Sequence, residues 1–359
     1  MWLFTKAFPT YFNRIIAFWL FAVVSLLLLP SASAQIRGPQ KTDSTYIRRY
    51  EDPVVFKGSF DTNIKEYEIT ESGNTLNLAT NENLRTAITF FYRGIGFTYG
   101  FAPSAIPVNN DDVLKGNTDL TTYRLNLNMV KVITNFEYTK TKGFYVTNTG
   151  DLLSDWQLGE DPYLLYPDLE ITRFSSTAVY VNNYKKFSFK ALTNQAEDQI
   201  KSAGSFIPSF QYIYTRWYNK DPEVVDDDPI RDFHDFIVRG GYQYTFVISK
   251  KWFASLGLGL GGGAKMIYDK ERSGNTLKKK TVPMLSTTSD LHLGFSGNHW
   301  FGGMRLSANT NNYQDRQEDV KIEDGNTYFL FFVGYRFTAP KKVTQAVDKF
   351  MDKVLPIKQ

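Results

Sequence analysis

The chain has three imidazoles, His234, His292 and His299. His292 is the one set up for chemistry, because Asp290 shares its face of an extended segment. A carboxylate that orients an imidazole prepares a general base, and a serine within reach would complete a hydrolase. Ser296 lies on the same face but about 13 Å further along an extended strand, beyond direct hydrogen bonding. A serine from a neighbouring strand would have to serve instead. His299 sits beside a turn and Trp300, and His234 lies in an acidic loop.

A second group is cationic. Arg124, Lys190, Arg239 and Arg305 are expected to project to one side, with Glu137 and Asp290 facing them. Rings of basic side chains favour anions in pores, whereas a ladder of ion pairs would close a narrow barrel, and the ladder is the default expectation. The run Asp226-Asp227-Asp228 could collect Ca²⁺ outside the barrel. It lacks the spaced ligands and central glycine of a calcium loop, so a solvated loop is expected and no metal or cofactor. Gly261-Gly262-Gly263 lies in a strand and opens no helix, which excludes a dinucleotide cradle.

The elements that would carry these residues alternate. Ile95, Phe97, Tyr99 and Phe101 are separated by Gly or Thr, and Tyr123, Leu125, Leu127 and Met129 by Arg124, Asn126 and Asn128. Ala254, Leu256, Leu258 and Leu260 stand opposite Ser255, Gly257, Gly259 and Gly261, and Leu291, Leu293 and Phe295 opposite Asp290, His292 and Gly294. Strand side chains alternate sides, so each segment has one apolar and one polar or bare face, as suits a wall between lipid and water. Turns at Arg93-Gly94, Val130-Lys131, Asn182-Asn183, Ser249–Lys251 and Gly297-Asn298 are short. Polar loops at 103–120, 147–168, 219–235, 269–282 and 314–325 are long, and short periplasmic turns with long external loops characterise outer-membrane barrels. Tyr184, Trp252, Phe253, Trp300 and Phe301 flank the short turns, where an interfacial girdle is expected.

The ends and the composition agree with export. Lys6 and Arg14 precede an apolar run, 15–29, that ends in Ser31-Ala32-Ser33-Ala34, so a signal peptide over 1–34, cut between Ala34 and Gln35, is expected. The run is short of the roughly 20 residues of a spanning helix. Cysteine is absent, which removes disulfides and a lipoprotein anchor, and a net charge of +4 gives no support for nucleic-acid binding. Phe numbers 29 and Tyr 22, yet mean hydropathy is −0.32, so the aromatics must sit in short alternating segments and not in long core runs.

Strand parity locates a problem. Segments within 54–80, 84–93, 94–102, 121–130, 132–146 and 169–182 alternate up and down from one end, and 236–249, 252–268, 284–297, 299–313 and 326–337 do so from the other. If 184–194 and 204–218 were both strands, 236–249 would run the wrong way. The expected resolution is that 184–218, beginning as an upward strand at 184–194, crosses once with an inset near 195–203, giving 12 strands, with 14 as the alternative. The inset is polar, with Gln195, Glu197, Asp198, Gln199, Lys201 and Ser202, and it would fit the lumen against the glycine stripe Gly257, Gly259, Gly261 and Gly263. In the tail, Val343, Ala346, Val347, Phe350, Met351 and Val354 fall on one helical face.

Asn194–Phe206, with its core Lys201-Ser202-Ala203-Gly204-Ser205-Phe206, resembles a Bacteroidetes outer-membrane β-barrel family of uncharacterised function, domain of unknown function 4421. Lys186–Ala191, Thr245–Phe253 and Thr42–Ile47 add to the likeness. The resemblance implies an outer-membrane barrel and carries over no activity or catalytic residue. The expected organisation is a signal peptide (1–34), a periplasmic segment (35–53), a transmembrane antiparallel β-barrel of an all-β chain (54–337) and a periplasmic tail (338–359). Expected partners are outer-membrane lipid and, during biogenesis, the barrel-assembly machinery. A structural or passive-transport role, with a plugged pore, leads; an outer-membrane hydrolase or lipid-modifying enzyme using His292 and a secreted soluble β-sandwich are the other two readings.

Overall fold

The structure is a computed structural model. It describes residues 42–338 apart from 66, 72, 73, 222–229, 273 and 316–319, together with 339–342, 344, 345 and 349. The expected leader, its cleavage point, the apolar face of the tail and Asp226, Asp227 and Asp228 lie outside the described residues. Lys341, Lys342, Thr344, Gln345 and Lys349 are helical. No described helix is long and apolar enough to cross a membrane.

The unit Thr42–Thr338 is built from strands. They begin with β1 (Ile47–Arg49), β2 (Pro53–Lys65), β3 (Tyr67–Glu71), β4 (Asn74–Ala79), β5 (Arg85–Tyr92) and β6 (Ile95–Phe101). There follow β7 (Asp119–Asn128), β8 (Val132–Val146), β9 (Leu165–Tyr180), β10 (Glu197–Gln199), β11 (Ala203–Phe206) and β12 (Ser209–Asn219). The last are β13 (Ile230–Val247), β14 (Trp252–Lys270), β15 (Thr276–Ser296), β16 (Trp300–Asp315) and β17 (Val320–Thr338). Single helical turns are α1 (Asp112–Lys115), α2 (Thr149–Leu152) and α3 (Lys190–Thr193).

Twelve strands close a ring: β2, β5 to β9 and β12 to β17, with β17 pairing back to β2 and β9 joining β8 to β12, every neighbour antiparallel. The closed ladder excludes the sandwich. β11 pairs with β13 just below β12, so 203–219 makes one wall passage interrupted at Ile207-Pro208. The expected single crossing of this region is what the chain does, except that 184–194 is no strand.

Alternation sorts the faces. Phe56 and Phe60 on β2, Leu256, Leu258 and Leu260 on β14, and Phe329, Phe331 and Val333 on β17 are exposed on the outside. Between them Ser59, Asp61, Ser255, Ser286, His292 and Ser307 are buried inside. The girdle is smaller than expected. Trp252 and Trp300 face outward, but Phe301 is buried, and Phe253 and Tyr184 pack against an inner cluster. Consecutive strand residues cannot share a face, so each Trp-Phe pair splits between lipid side and lumen.

The long hairpins differ from expectation too. The β14–β15 and β16–β17 connections reduce to 271–275 and 316–319, because strand pairing continues into residues that the pattern assigns to loops. Thr276–Lys279 are all exposed although β15 spans 21 residues. A spanning strand needs about 9–11 residues, so the remainder extends beyond the bilayer, where alternation lapses at Thr276–Lys279 while backbone bonding persists.

At the end opposite the short turns, β3 and β4 form a hairpin that alternation over 54–80 does not distinguish from wall. It leaves β2 and enters β5, yet β4 pairs with β8 at Leu78↔Val146, and Tyr67 packs 5.1 Å from Trp217 and 6.3 Å from Phe144. The hairpin therefore crosses the mouth. Its Leu78 joins Leu169 and Ile171 in a buried cluster. Nearby, Asn81 Nδ2 donates to Gly116 O (2.8 Å), and Asn109 Oδ1 accepts from the Asn83 and Leu84 amides (3.0 and 2.8 Å), tying residues 81–84 to 109–116. Burial, with Asp119 beside it, raises the Glu82 carboxyl from 4.5 to about 8.

Two outcomes are expected from these features. A Cβ on Gly263 would lie 2.0 Å from Phe236 O and 3.0 Å from Ile237 Cα, whereas one on Gly58 meets nothing within 4 Å. Gly263→Val should therefore abolish the heat-modifiable gel band of a folded barrel, and Gly58→Ala should keep it. A raised carboxyl pKa favours the protonated folded form, so its stabilisation is complete below about pH 4.5 and is lost as pH rises through 8. Hydrogen-exchange protection at Asn81–Leu84 should fall across that window beyond the intrinsic rate change, and Glu82→Gln should flatten the fall.

Candidate functional site

After β9 the chain turns inward instead of starting a wall strand. The Asn183 amide donates to Ser205 Oγ (2.9 Å) and its Nδ2 donates to Gly204 O (2.8 Å), fixing the turn. Lys186–Ala191 alternates charge and Phe as a strand would. Ser188 Oγ, however, accepts from the Ala191 amide (3.1 Å) where α3 begins, while Phe187 and Leu192 pack with Ile133, Val181 and Ala203. A local side-chain-to-backbone hydrogen bond and an apolar floor thus override the strand pattern expected over 184–194. Residues 194–199 are all buried, and Gln195 has a left-handed backbone (φ 55°).

The inset is held by one carboxylate. Asp198 is 5% exposed and accepts from Arg336 Nη1 (3.1 Å), Arg48 Nε (2.9 Å), Ser296 Oγ and the Tyr50 hydroxyl. The Arg336 guanidinium is itself 1% exposed, donates to Ser296 Oγ (2.7 Å) and stacks 4.1 Å above the Tyr50 ring. β1 pairs with β10 through Ile47↔Gln199, Arg48↔Asp198 and Arg49↔Glu197. Glu197 also accepts from Ser188 Oγ (2.6 Å) and lies 3.9 Å from Lys190, and Gln199 Nε2 donates to Lys186 O (2.6 Å). Lys201 lies 5.4 Å from the Tyr46 ring centroid, and Ser202 Oγ accepts from the Val247 amide (2.9 Å).

Above the inset a cavity of about 460 Å³ is lined by the wall and by Leu192–Gln195. Arg124, Arg239 and Arg305 all reach it, as do Glu137, Asp290 and His292. Arg124 pairs with Glu137 (2.6 Å) and Arg305 with Asp290 (2.8 Å), so two members of the expected ladder exist. Arg239 has no place in that ladder. Its guanidinium donates to Ser286 Oγ (2.7 Å), Gln211 Oε1 (2.9 Å) and Asn311 Oδ1 (3.2 Å), all neutral. Lys57, which the sequence reading passes over, donates to Thr193 O (2.9 Å). Its inward direction follows from the outward Phe56, Gly58 and Phe60. Arg336 is likewise overlooked, although it neighbours the outward Tyr335.

Asp290 and His292 share the lumen face, but among the described residues no hydrogen bond joins them. Asp290 is bound by Arg305, Ser255 is engaged by Gln243 and Thr245, and Ser296 by Asp198. Among the described residues no relay of base, orienting acid and free serine is assembled around His292. The glycine stripe has another role than housing the inset. A Cβ on Gly257 would collide with the Gln243 side chain, and one on Gly261 with Val238 O (2.1 Å) and with Arg239 Cα and Cγ (both 2.7 Å), so the bare positions let Gln243 lie across β14 and the β13 backbone and Arg239 approach closely.

Apolar outside, polar and charged inside, closed without an edge: these define a β-barrel of the inverted, membrane-protein kind. The chain belongs to the family described as domain of unknown function DUF4421, whose model matches residues 41–337. No curated protein matches. Among solved structures, the translocator domain of autotransporter NalP from Neisseria meningitidis is 10% identical, covering 90% of this chain and 98% of that one at a TM-score of 0.34. OmpT of Vibrio cholerae is 9% identical over 80% and 100% (TM-score 0.30), and the Pseudomonas putida toluene transporter TodX 6% over 85% and 93% (TM-score 0.27). The fold rests on the strand pairing itself.

Removing one partner of a buried pair leaves the other charge uncompensated, at a cost of about 3–5 kcal/mol. Asp198→Ala should lose about that much stability in urea unfolding from micelles. It should also make the Lys201 peptide bond rapidly cleavable by trypsin while the wall stays protected.

Proposed function

We propose that this is an outer-membrane barrel whose lumen is a closed chamber at rest, opened for passive passage only when the inset moves. The observation that carries the reading is the inset, buried across one end and pinned through Asp198 to β1, β15 and β17. The hairpin β3–β4 across the other mouth supports it. The exposed apolar belt supports membrane insertion, since only a closed ladder leaves no unpaired backbone group against lipid. In this reading the chain is exported behind a leader cleaved between Ala34 and Gln35, as in a Bacteroidetes envelope, and the inset end is periplasmic.

Planar-bilayer recording tests the closure. The intact chain should show near-zero steady conductance. Deleting 195–203 should raise it modestly, and deleting 67–79 as well should give stable open channels. A large steady conductance from the intact chain would refute the closed chamber.

A further inference from the structure

We infer that the chamber is a binding site for a small hydroxylated carboxylate, of the sugar-acid class, seated on the inset. The proposal rests on the closed-chamber reading for its setting and on the lining for its chemistry. Six basic side chains line the cavity, Lys57, Arg85, Arg124, Arg173, Arg239 and Arg305, against two carboxylates, Glu137 and Asp290. Asp61, behind the lining, neutralises Arg85 (2.9 Å). Arg173 has a partner of its own; among the described residues Lys57 and Arg239 meet neutral acceptors alone, and Arg239 is 8% exposed. A buried cation held by neutral groups calls for an anion.

The second observation is independent of charge. Asn128 Nδ2, Asn194 Nδ2 and Gln195 Oε1 are buried and have no hydrogen-bond partner among the described residues. These side chains are 4%, 7% and 3% exposed, and all three residues line this cavity. Their other amide atoms are used where they bear on the inset: Asn194 Oδ1 accepts from the Ala196 amide (3.0 Å), and Gln195 Nε2 donates to Leu192 O (3.0 Å). The cavity thus presents two donors and an acceptor, from the wall at Asn128 and from Asn194 and Gln195, a pattern met by hydroxyl groups, which both give and take hydrogen bonds. Buried polar atoms are ordinarily satisfied, so three in one cavity mark a place where a partner sits. The cavity size lies within the range of about 300–1,000 Å³ usual for small-molecule sites. Because Thr193 and Asn194 lead into the inset and Gln195 begins it, a ligand here touches the element that closes the barrel.

The test uses the folded full chain in detergent micelles at low ionic strength, with gluconate as probe and glucose and acetate as comparators, read by isothermal titration calorimetry. Gluconate should bind saturably at one site. Acetate should bind more weakly, and glucose should give no saturable heat over the same concentrations. Arg239→Gln and Lys57→Gln should each weaken gluconate by about tenfold or more, the scale of a lost charge-assisted hydrogen bond, and Asn194→Ala by about threefold to tenfold. Heat-modifiable migration verifies that each variant is folded; should Arg239→Gln not fold, Lys57→Gln decides. No saturable gluconate binding, glucose binding as well as gluconate, or full affinity in the folded cation variants would overturn the site. Bilayer conductance on the same preparation separates the two readings. Near-zero conductance without gluconate binding overturns the anion site and leaves the closure standing, whereas steady conductance overturns the closure whatever gluconate does.

Discussion

The ladder between β17 and β2 is the constraint on which the molecule depends. It runs from Asn326↔Lys65 to Thr338↔Pro53, joins the last wall strand to the first, and converts a twelve-stranded sheet into a ring. Without it two edges would present rows of unpaired N–H and C=O groups beside the exposed Phe, Leu and Val of the belt. In hydrocarbon each such group costs several kcal/mol; in water the same edges would recruit another chain. Closure removes both problems and leaves the side chains free to divide by parity.

That division determines what the interior must be. Every second residue points into a space too narrow for bulk solvent and too polar for an oily core. Charges there have to find one another across neighbouring strands, as Arg124 does with Glu137 and Arg305 with Asp290. At one end the wall alone does not suffice, and a polar segment enters to meet Arg336. The glycines of β14 belong to the same logic, since a missing side chain on one strand is the berth for a long one from the next.

The wall was legible because period-two alternation is a local signal, and twelve passages follow from it once parity is enforced at 184–218. Elements that are strands without being wall carry the same local signal. Tyr67–Ala79 shows this, and so does Lys186–Ala191, where the strand-like alternation belongs to a turn and one helical turn. Above the belt the difficulty reverses: Thr276–Lys279 lose alternation while remaining paired. Within the candidate site, the shared face of Asp290 and His292 could be read directly. The partner of Asp290 could not, because cross-strand register places Arg305 opposite His292 and close to that carboxylate. The bond between Asp198 and Arg336 spans 138 positions of sequence, and no pattern shorter than the fold itself contains it.

The Asp198 cluster also orders assembly in time. Its donors come from Arg48 and Tyr50 near the start of the described chain and from Ser296 and Arg336 in the first and last of the final three strands. A contact that draws on such distant segments forms only after the loops between them have closed. The full Asp198 cluster therefore cannot assemble until β15 and β17 have taken their places. Wall first, closure second is the sequence this connectivity imposes, with the earliest-made segment among the last to settle.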